Sequence, residues 1–308
     1  MYVVKNKTVI MNKLLSTGFI LLLLAVSATA QPEGSLLSLL DEEQSTDYAT
    51  NAFKSPRVIN SHSMEMLSAG TMDFRILHRF GDVSEGGYEF FGLDQASMRL
   101  GFDFGITPNL MAGIGRSTNK KEIDAFVKYR LLWQSTGKRN MPVSLVWVSG
   151  ATANGLKDPI GIEEVPVTFS RRLAFYHQLI VGRKFNDWLT VQVTPTWLHR
   201  NFVLNRLDPN ELFAVGFGGR AKFTKRIALV WDYSYLINRF PANFNSHPLS
   251  LGVDIETGGH VFQLHFSNAV GMNERAWLTD QNGNWLKGEI RFGFNLSRVF
   301  QIVKKRVE

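Results

Sequence analysis

The sequence predicts an all-β fold: a transmembrane, up-and-down antiparallel β-barrel of about twelve strands, with a short N-terminal helical or extended segment ahead of it. Three observations predict it. Stretches of roughly ten residues alternate apolar and polar side chains, the links between them are by turns short and long, and 23 Phe, 7 Trp and 7 Tyr coexist with a near-zero mean hydropathy. A helical membrane protein would be more apolar. In a barrel only alternate residues meet lipid.

Residues 1–30 read as a secretory signal peptide. Lys5, Lys7 and Lys13 form the basic start, Leu14 to Val26 is almost wholly apolar, and Ala28-Thr29-Ala30 offers small residues for cleavage before Gln31. The apolar run is shorter than the roughly 20 residues that span a bilayer. Removing it takes three lysines and no acids, so the formal charge of +7 becomes 7 − 3 = +4. So small a surplus does not call for nucleic acid. The chain has no cysteine, which excludes a disulfide framework, a thiolate metal site and a lipidated anchor.

Residues 31–60 form a periplasmic N-terminal segment. Leu36, Leu37, Leu39 and Leu40 are spaced for a short amphipathic helix, followed by an extended stretch through Phe53-Lys54-Ser55-Pro56-Arg57. Packing under the barrel, plugging it, and serving as a disordered lead-in remain alternatives.

The barrel occupies 61–300, followed by a basic tail, 301–308. Strands are expected at 70–80, 96–106, 110–117, 123–133, 142–152, 173–185, 188–199, 212–223, 226–237, 248–257, 260–268 and 286–297. The links at 107–109, 186–187, 224–225 and 258–259 are tight; those at 81–95, 153–172, 200–211, 238–247 and 269–285 are long; 118–122 and 134–141 are intermediate. With both termini in the periplasm, every long link faces outward, as in outer-membrane barrels. A soluble β-sandwich has less reason to sort its loops in this way.

Parity then sorts side chains. Met98, Leu100, Phe102, Phe104 and Ile106 face lipid on one strand. So do Phe213, Val215, Phe217, Ala221 and Phe223; Ile227, Leu229, Trp231, Tyr233 and Tyr235; and Leu249, Leu251, Val253 and Ile255. Trp133 and Trp197 suit interfacial girdles near opposite strand ends. The opposite parity collects Arg99, Asp103, Lys128, Arg130, Arg220, Lys222, Asp232, Asp254, Glu256, Lys287, Glu289 and Arg291 as lumen-lining candidates. Two readings follow: an internal salt-bridge network that fills the barrel, or a narrow hydrated pore that favours small polar or anionic solutes.

One constellation suggests catalysis. His265-Phe266-Ser267-Asn268 resembles the His-x-Ser-Asn arrangement of outer-membrane acyl hydrolases, in which His activates Ser, with Glu274 or Asp280 as the orienting acid. Against it, Phe262, Leu264 and Phe266 claim the lipid face, so His265 and Ser267 point inward, whereas those hydrolases show their pair to the membrane. The remaining histidines, His62, His78, His177, His199, His247 and His260, lack metal-site spacing. Gly113-Ile114-Gly115-Arg116-Ser117 lacks the lysine and helix of a phosphate loop. No motif implies a cofactor. In the long links, Phe90-Phe91 either contacts lipopolysaccharide, a sugar or a partner, or folds back and is buried. Lys120-Lys121 is either a lipid-phosphate contact or a solvated loop tip.

Several stretches resemble an uncharacterised family of bacterial outer-membrane β-barrel proteins, domain of unknown function family 5777. They are FKSPRVINSHSME at 53–65, HRFG at 78–81, FFGLDQASMRLGFDFGI at 90–106, GIGRSTNKKEIDAFVKYRLLWQSTG at 113–137, LGVDIETGGHVFQLHFSNAVGMNE at 251–274 and FGFNLSRVF at 292–300. The resemblance implies an exported barrel in the bacterial outer membrane and assigns no catalytic residue. Three functions are therefore carried forward: a narrow pore, a plugged barrel that docks a periplasmic or surface protein, and a lipid acyl hydrolase. The common barrel habit of ending on an aromatic is not kept, since Phe300 is followed by 301–308 with Lys304-Lys305-Arg306.

Overall fold

The computed structural model describes residues 45–158, 168–203, 208–238, 246–280 and 283–303. The stretch expected to be a signal peptide, the leucine-rich stretch at 36–40 and tail residues 304–308 lie outside the described residues. In chain order the strands are β1 (Thr46–Tyr48), β2 (Thr71–Phe80), β3 (Ala96–Thr107), β4 (Leu110–Ser117), β5 (Ile123–Leu132), β6 (Ser135–Gly137) and β7 (Ser144–Ala153). They continue with β8 (Leu173–Lys184), β9 (Leu189–Arg200), β10 (Glu211–Lys222), β11 (Ile227–Leu236), β12 (Leu249–Thr257), β13 (His260–Ser267) and β14 (Arg291–Gln301).

β1 and β6 are three-residue strands outside the barrel; the other twelve close it. Each pairs antiparallel with its sequence neighbours, and β14 returns to β2 with Phe294 opposite His78 and Ser297 opposite Arg75. Closure removes the unpaired edges that an open sheet would expose. All but the last strand agree with the expected bounds to within two residues.

Period-two alternation settles which residues face in. On β3, Arg99, Gly101, Asp103 and Gly105 are buried while Leu100, Phe102 and Ile106 are exposed. β10 to β13 repeat the pattern, with Phe213, Phe217, Ile227, Leu251, Phe262, Leu264 and Phe266 outward. Trp197 keeps its outward parity and stacks between His177 and His199.

Two expectations are corrected. The last strand begins at Arg291, not 286: Asn284 accepts the Leu286 N–H and starts a 3-10 turn at Trp285–Lys287 that ends on left-handed Gly288. Lys287 is therefore exposed in the loop and Glu289 accepts the Asn284 N–H, so neither lines the lumen. Trp133 is also displaced. A bulge between Arg130 and Leu132 breaks the alternation, and the indole donates to the Ala49 carbonyl at 2.8 Å, stacks on Tyr48 and lies under the Arg130 guanidinium.

Candidate functional site

The lumen is occupied by the chain's own residues. From Ala52 to Leu67 nearly every side chain is buried, including polar Ser55, Arg57, Asn60, Ser61, His62 and Ser63. The stretch expected to be extended folds back on itself. Val58 N–H donates to the Ser61 carbonyl and Ser63 N–H to the Pro56 carbonyl, both at 2.9 Å, with Arg57 bridging antiparallel to His62.

A turn buried in this way has peptide groups without a sheet partner, and a buried orphan is costly. Inward side chains of five strands supply the partners, and a sixth strand, β2, holds the segment's side chains. Asp232 on β11 accepts from Asn60 N–H at 3.0 Å, Ser61 N–H at 2.8 Å and Ser61 Oγ at 2.9 Å. Gln192 on β9 donates to the His62 carbonyl at 2.7 Å and accepts from Met64 N–H at 2.9 Å. Gln263 on β13 donates to the Val58 carbonyl, Asn295 on β14 to that of Ile59, and Lys128 on β5 to those of Pro56 and Glu65. Arg75 and Arg79 on β2 reach Ser55 Oγ and Asn60 Oδ1.

The end that carries the long links is covered as well. In the 268–290 link, Asn273 caps helix α1 (Glu274–Thr279), and Ala269, Met272, Glu274, Ala276, Trp277 and Leu278 are buried. Glu274 receives Arg57 Nη1 at 2.7 Å and lies 3.2 Å from His62 Nε2, so helix and turn meet inside the barrel. α1 is in turn tied to the 118–122 link: Arg275 pairs with Glu122 and Asp280, Lys120 with Asp280, and Asn273 donates to Glu122. Burial pushes the Asp280 carboxyl up, but Arg275 and Lys120 outweigh it and hold it below the ordinary aspartate value. Burial dominates at Glu122, whose carboxyl is raised despite Arg275.

The candidates read from parity divide into groups. Arg99 is fully buried and bidentate to Asp124, Nε at 2.8 Å and Nη2 at 2.5 Å. Arg220 meets Glu256 at 3.1 Å and Asp254 at 3.9 Å, and Glu256 also holds Lys54 at 3.1 Å, at the foot of the buried segment. Asp254 accepts from Gln263. Asp103 lies over Gly113, where an added Cβ would stand 2.4 Å from its Oδ1. Lys128 and Asp232 hold the turn. Arg130 packs on Trp133, Lys222 is half-buried beside the 223–226 turn, and Arg291 pairs with Asp82 at 3.3 Å by the long links.

His265 and Ser267 both face inward but do not meet as a pair. Ser267 Oγ accepts from Ser250 Oγ at 2.7 Å and Ala269 N–H at 3.1 Å, and among the described residues no hydrogen bond joins it to His265. Glu274 and Asp280, the two candidate acids, are engaged by Arg57 and by Arg275 with Lys120.

Residues 53–300 match the model of a family described as a membrane-bound β-barrel domain, DUF5777. The chain belongs to this family. A closed antiparallel barrel with outward apolar bands is the architecture of the bacterial outer membrane, where the family member resides and contacts lipid. No curated protein matches the chain. Among solved structures it is similar to the NanC porin, at 9% identity over 75% of this chain and 100% of that one with a TM-score of 0.48. It is similar to the KdgM porin at 10% identity, over 75% and 99%, with a TM-score of 0.43. Outer membrane phospholipase A from Escherichia coli follows at 15% identity, over 74% and 92%, with a TM-score of 0.40. No substrate or activity is carried over from these.

The residues that hold the buried segment were mostly not among the sequence candidates. Arg75 and Arg79 on β2 share the inward parity of their strand, so alternation alone finds them, as it does Asp73 and Asp124, which pair with barrel residues and not with the segment. Gln192, Gln263 and Asn295 also have inward parity but carry no charge to draw notice. Arg57, His62 and Glu274 lie outside any strand, where no period exists to read.

Proposed function

We propose that the protein is a gated outer-membrane channel for small polar solutes, held closed by residues 52–67 and by α1. The observation that carries this reading is the capture of the 56–65 backbone by side chains from five strands. A barrel filled only for rigidity would gain more from apolar packing, because buried charges have to be desolvated. Side-chain-to-peptide hydrogen bonds, by contrast, can be exchanged for water once the segment withdraws.

The vacated lumen would expose Arg75, Arg79, Arg99, Lys128, Arg130 and Arg220 against Asp73, Asp103, Asp124, Asp232, Asp254 and Glu256. Basic and acidic groups balance, which favours polar solutes in general over anions in particular. The test is planar-bilayer conductance of the leader-free protein beside a variant lacking residues 45–67, each first shown to be folded by its heat-dependent gel mobility. The intact barrel is expected to stay closed and the truncated one to conduct in discrete steps. Equal conductance in both would refute gating by this segment, and silence in both would favour a docking barrel.

A further inference from the structure

Lys120 and Lys121 play no part in the lumen chemistry as a pair, because the backbone separates them. Both adopt left-handed conformations, with φ 50 in each case, a region that residues with side chains enter only at a cost. The loop is pinned there. Lys121 N–H donates to the Thr118 carbonyl at 3.2 Å and Gly155 N–H to the Lys120 carbonyl at 3.1 Å. A Cβ on Gly155 would stand 2.2 Å from the Lys121 carbonyl oxygen, so the neighbouring link closes tightly against it.

The result is that Lys120 turns to Asp280 at 2.8 Å while Lys121 is exposed over the outer wall. Beneath it lies a groove of about 280 Å³ lined by Met98, Leu100, Arg116, Ser117, Thr118 and Lys121. Met98 and Leu100 are outward residues of β3 and form its apolar floor. Arg116 takes the outward position that follows Ala112 and Ile114 on β4, beside Leu100 and Ile123 of the flanking strands. A guanidinium on the lipid face is tolerated near the interface and costly deeper in the bilayer. Neither Arg116 nor Lys121 has an ion-pair partner among the described residues.

Two unpaired cations above an apolar floor, on the wall that meets lipid, match an amphiphile with an anionic head. We propose that this groove binds a phosphorylated glycolipid of the outer leaflet. Its phosphate sits between Arg116 and Lys121 and one acyl chain runs over Met98 and Leu100. The long links mark this end of the barrel as the outward one. A free phosphate would leave the apolar floor unused.

The test uses the full-length folded barrel in a non-ionic detergent, with lipid adducts counted by native mass spectrometry. The probes are bisphosphorylated lipid A, its phosphate-stripped form, phosphatidylglycerol and inorganic phosphate. Binding of bisphosphorylated lipid A is expected, weakened about tenfold or more in R116Q/K121Q and unchanged in K120Q, whose side chain points to Asp280. The single variant R116Q keeps the test decisive if the double one fails to fold. Undiminished binding in R116Q and R116Q/K121Q would overturn the proposal. So would equal binding of phosphatidylglycerol or of the phosphate-stripped form, or displacement of lipid A by millimolar inorganic phosphate alone.

Discussion

Replacing Asp232 by Asn should unlatch the lumen without dismantling the barrel. Oδ2 accepts two peptide N–H groups of the buried turn, and Oδ1 accepts Ser61 Oγ. With its amide oxygen in the Oδ2 position, Asn keeps the two N–H bonds but makes them neutral. Hydrogen bonds to charged groups contribute about 1.5–3 kcal/mol and neutral ones about 0.5–1.5 kcal/mol. The change therefore costs about 1 kcal/mol per bond and about 2 kcal/mol in all. Asn can donate to Ser61 Oγ in turn, so that contact survives. At about 1.4 kcal/mol per tenfold, the closed-to-open ratio should fall about 30-fold. Single-channel recording reads this as open probability, and hydrogen exchange at Asn60 and Ser61 reads the same release independently. Unchanged open probability together with unchanged protection of the turn would show that Asp232 does not hold it.

Other expectations follow from single contacts. Arg99→Gln leaves Asp124 buried without its cation, and urea unfolding followed by gel mobility should show a loss of about 3–5 kcal/mol; a loss below 1 kcal/mol would mean that water already reaches the pair. Gly113→Ala drives a methyl into Asp103 and Phe126, and should cost about 1–3 kcal/mol in the same assay. The depressed Asp280 carboxyl stabilises the α1 link above its unfolded value, near 3.9, and that stability is lost as pH falls through the lower folded value. Exchange of the 274–280 amides, corrected for intrinsic rates, should stay flat from about pH 7 to 5 and rise only below about pH 4; a rise starting near pH 6 would assign control of the helix to another group. Ser267→Ala should leave fatty-acid release from phospholipid vesicles at the level of the parent protein, since Ser267 is bonded to Ser250 and not to His265.

Strand positions were legible because lipid outside and charge inside impose a strict period of two, as in Arg99 to Gly105. The period failed where local turn chemistry outweighed it. Asn284 and Gly288 delayed β14 and took Lys287 and Glu289 out of the lumen, and the bulge after Arg130 turned Trp133 toward Tyr48. The charge of the interior was visible, but what it binds was not. Pro56 to Glu65 mixes apolar and polar residues without periodicity, and Arg57 meets Glu274 across 217 positions of sequence. Only the three-dimensional closure of the barrel brings these groups together.

That separation in sequence imposes an order on assembly. Ser61 is bound by Asp232, 171 residues later, and Ile59 by Asn295, 236 residues later. The first segment of the barrel domain to be made therefore lacks a complete berth until nearly the last strand has been added. Until then the peptide groups taken up by β11, β13 and β14 have water as their partner, and Arg57 lacks the Glu274 carboxylate. Docking of the turn is thus a report that the circle is complete: a barrel missing β11, β13 or β14 would leave its own N-terminal segment hanging free, open to proteolysis in the periplasm, while a finished one draws it out of reach.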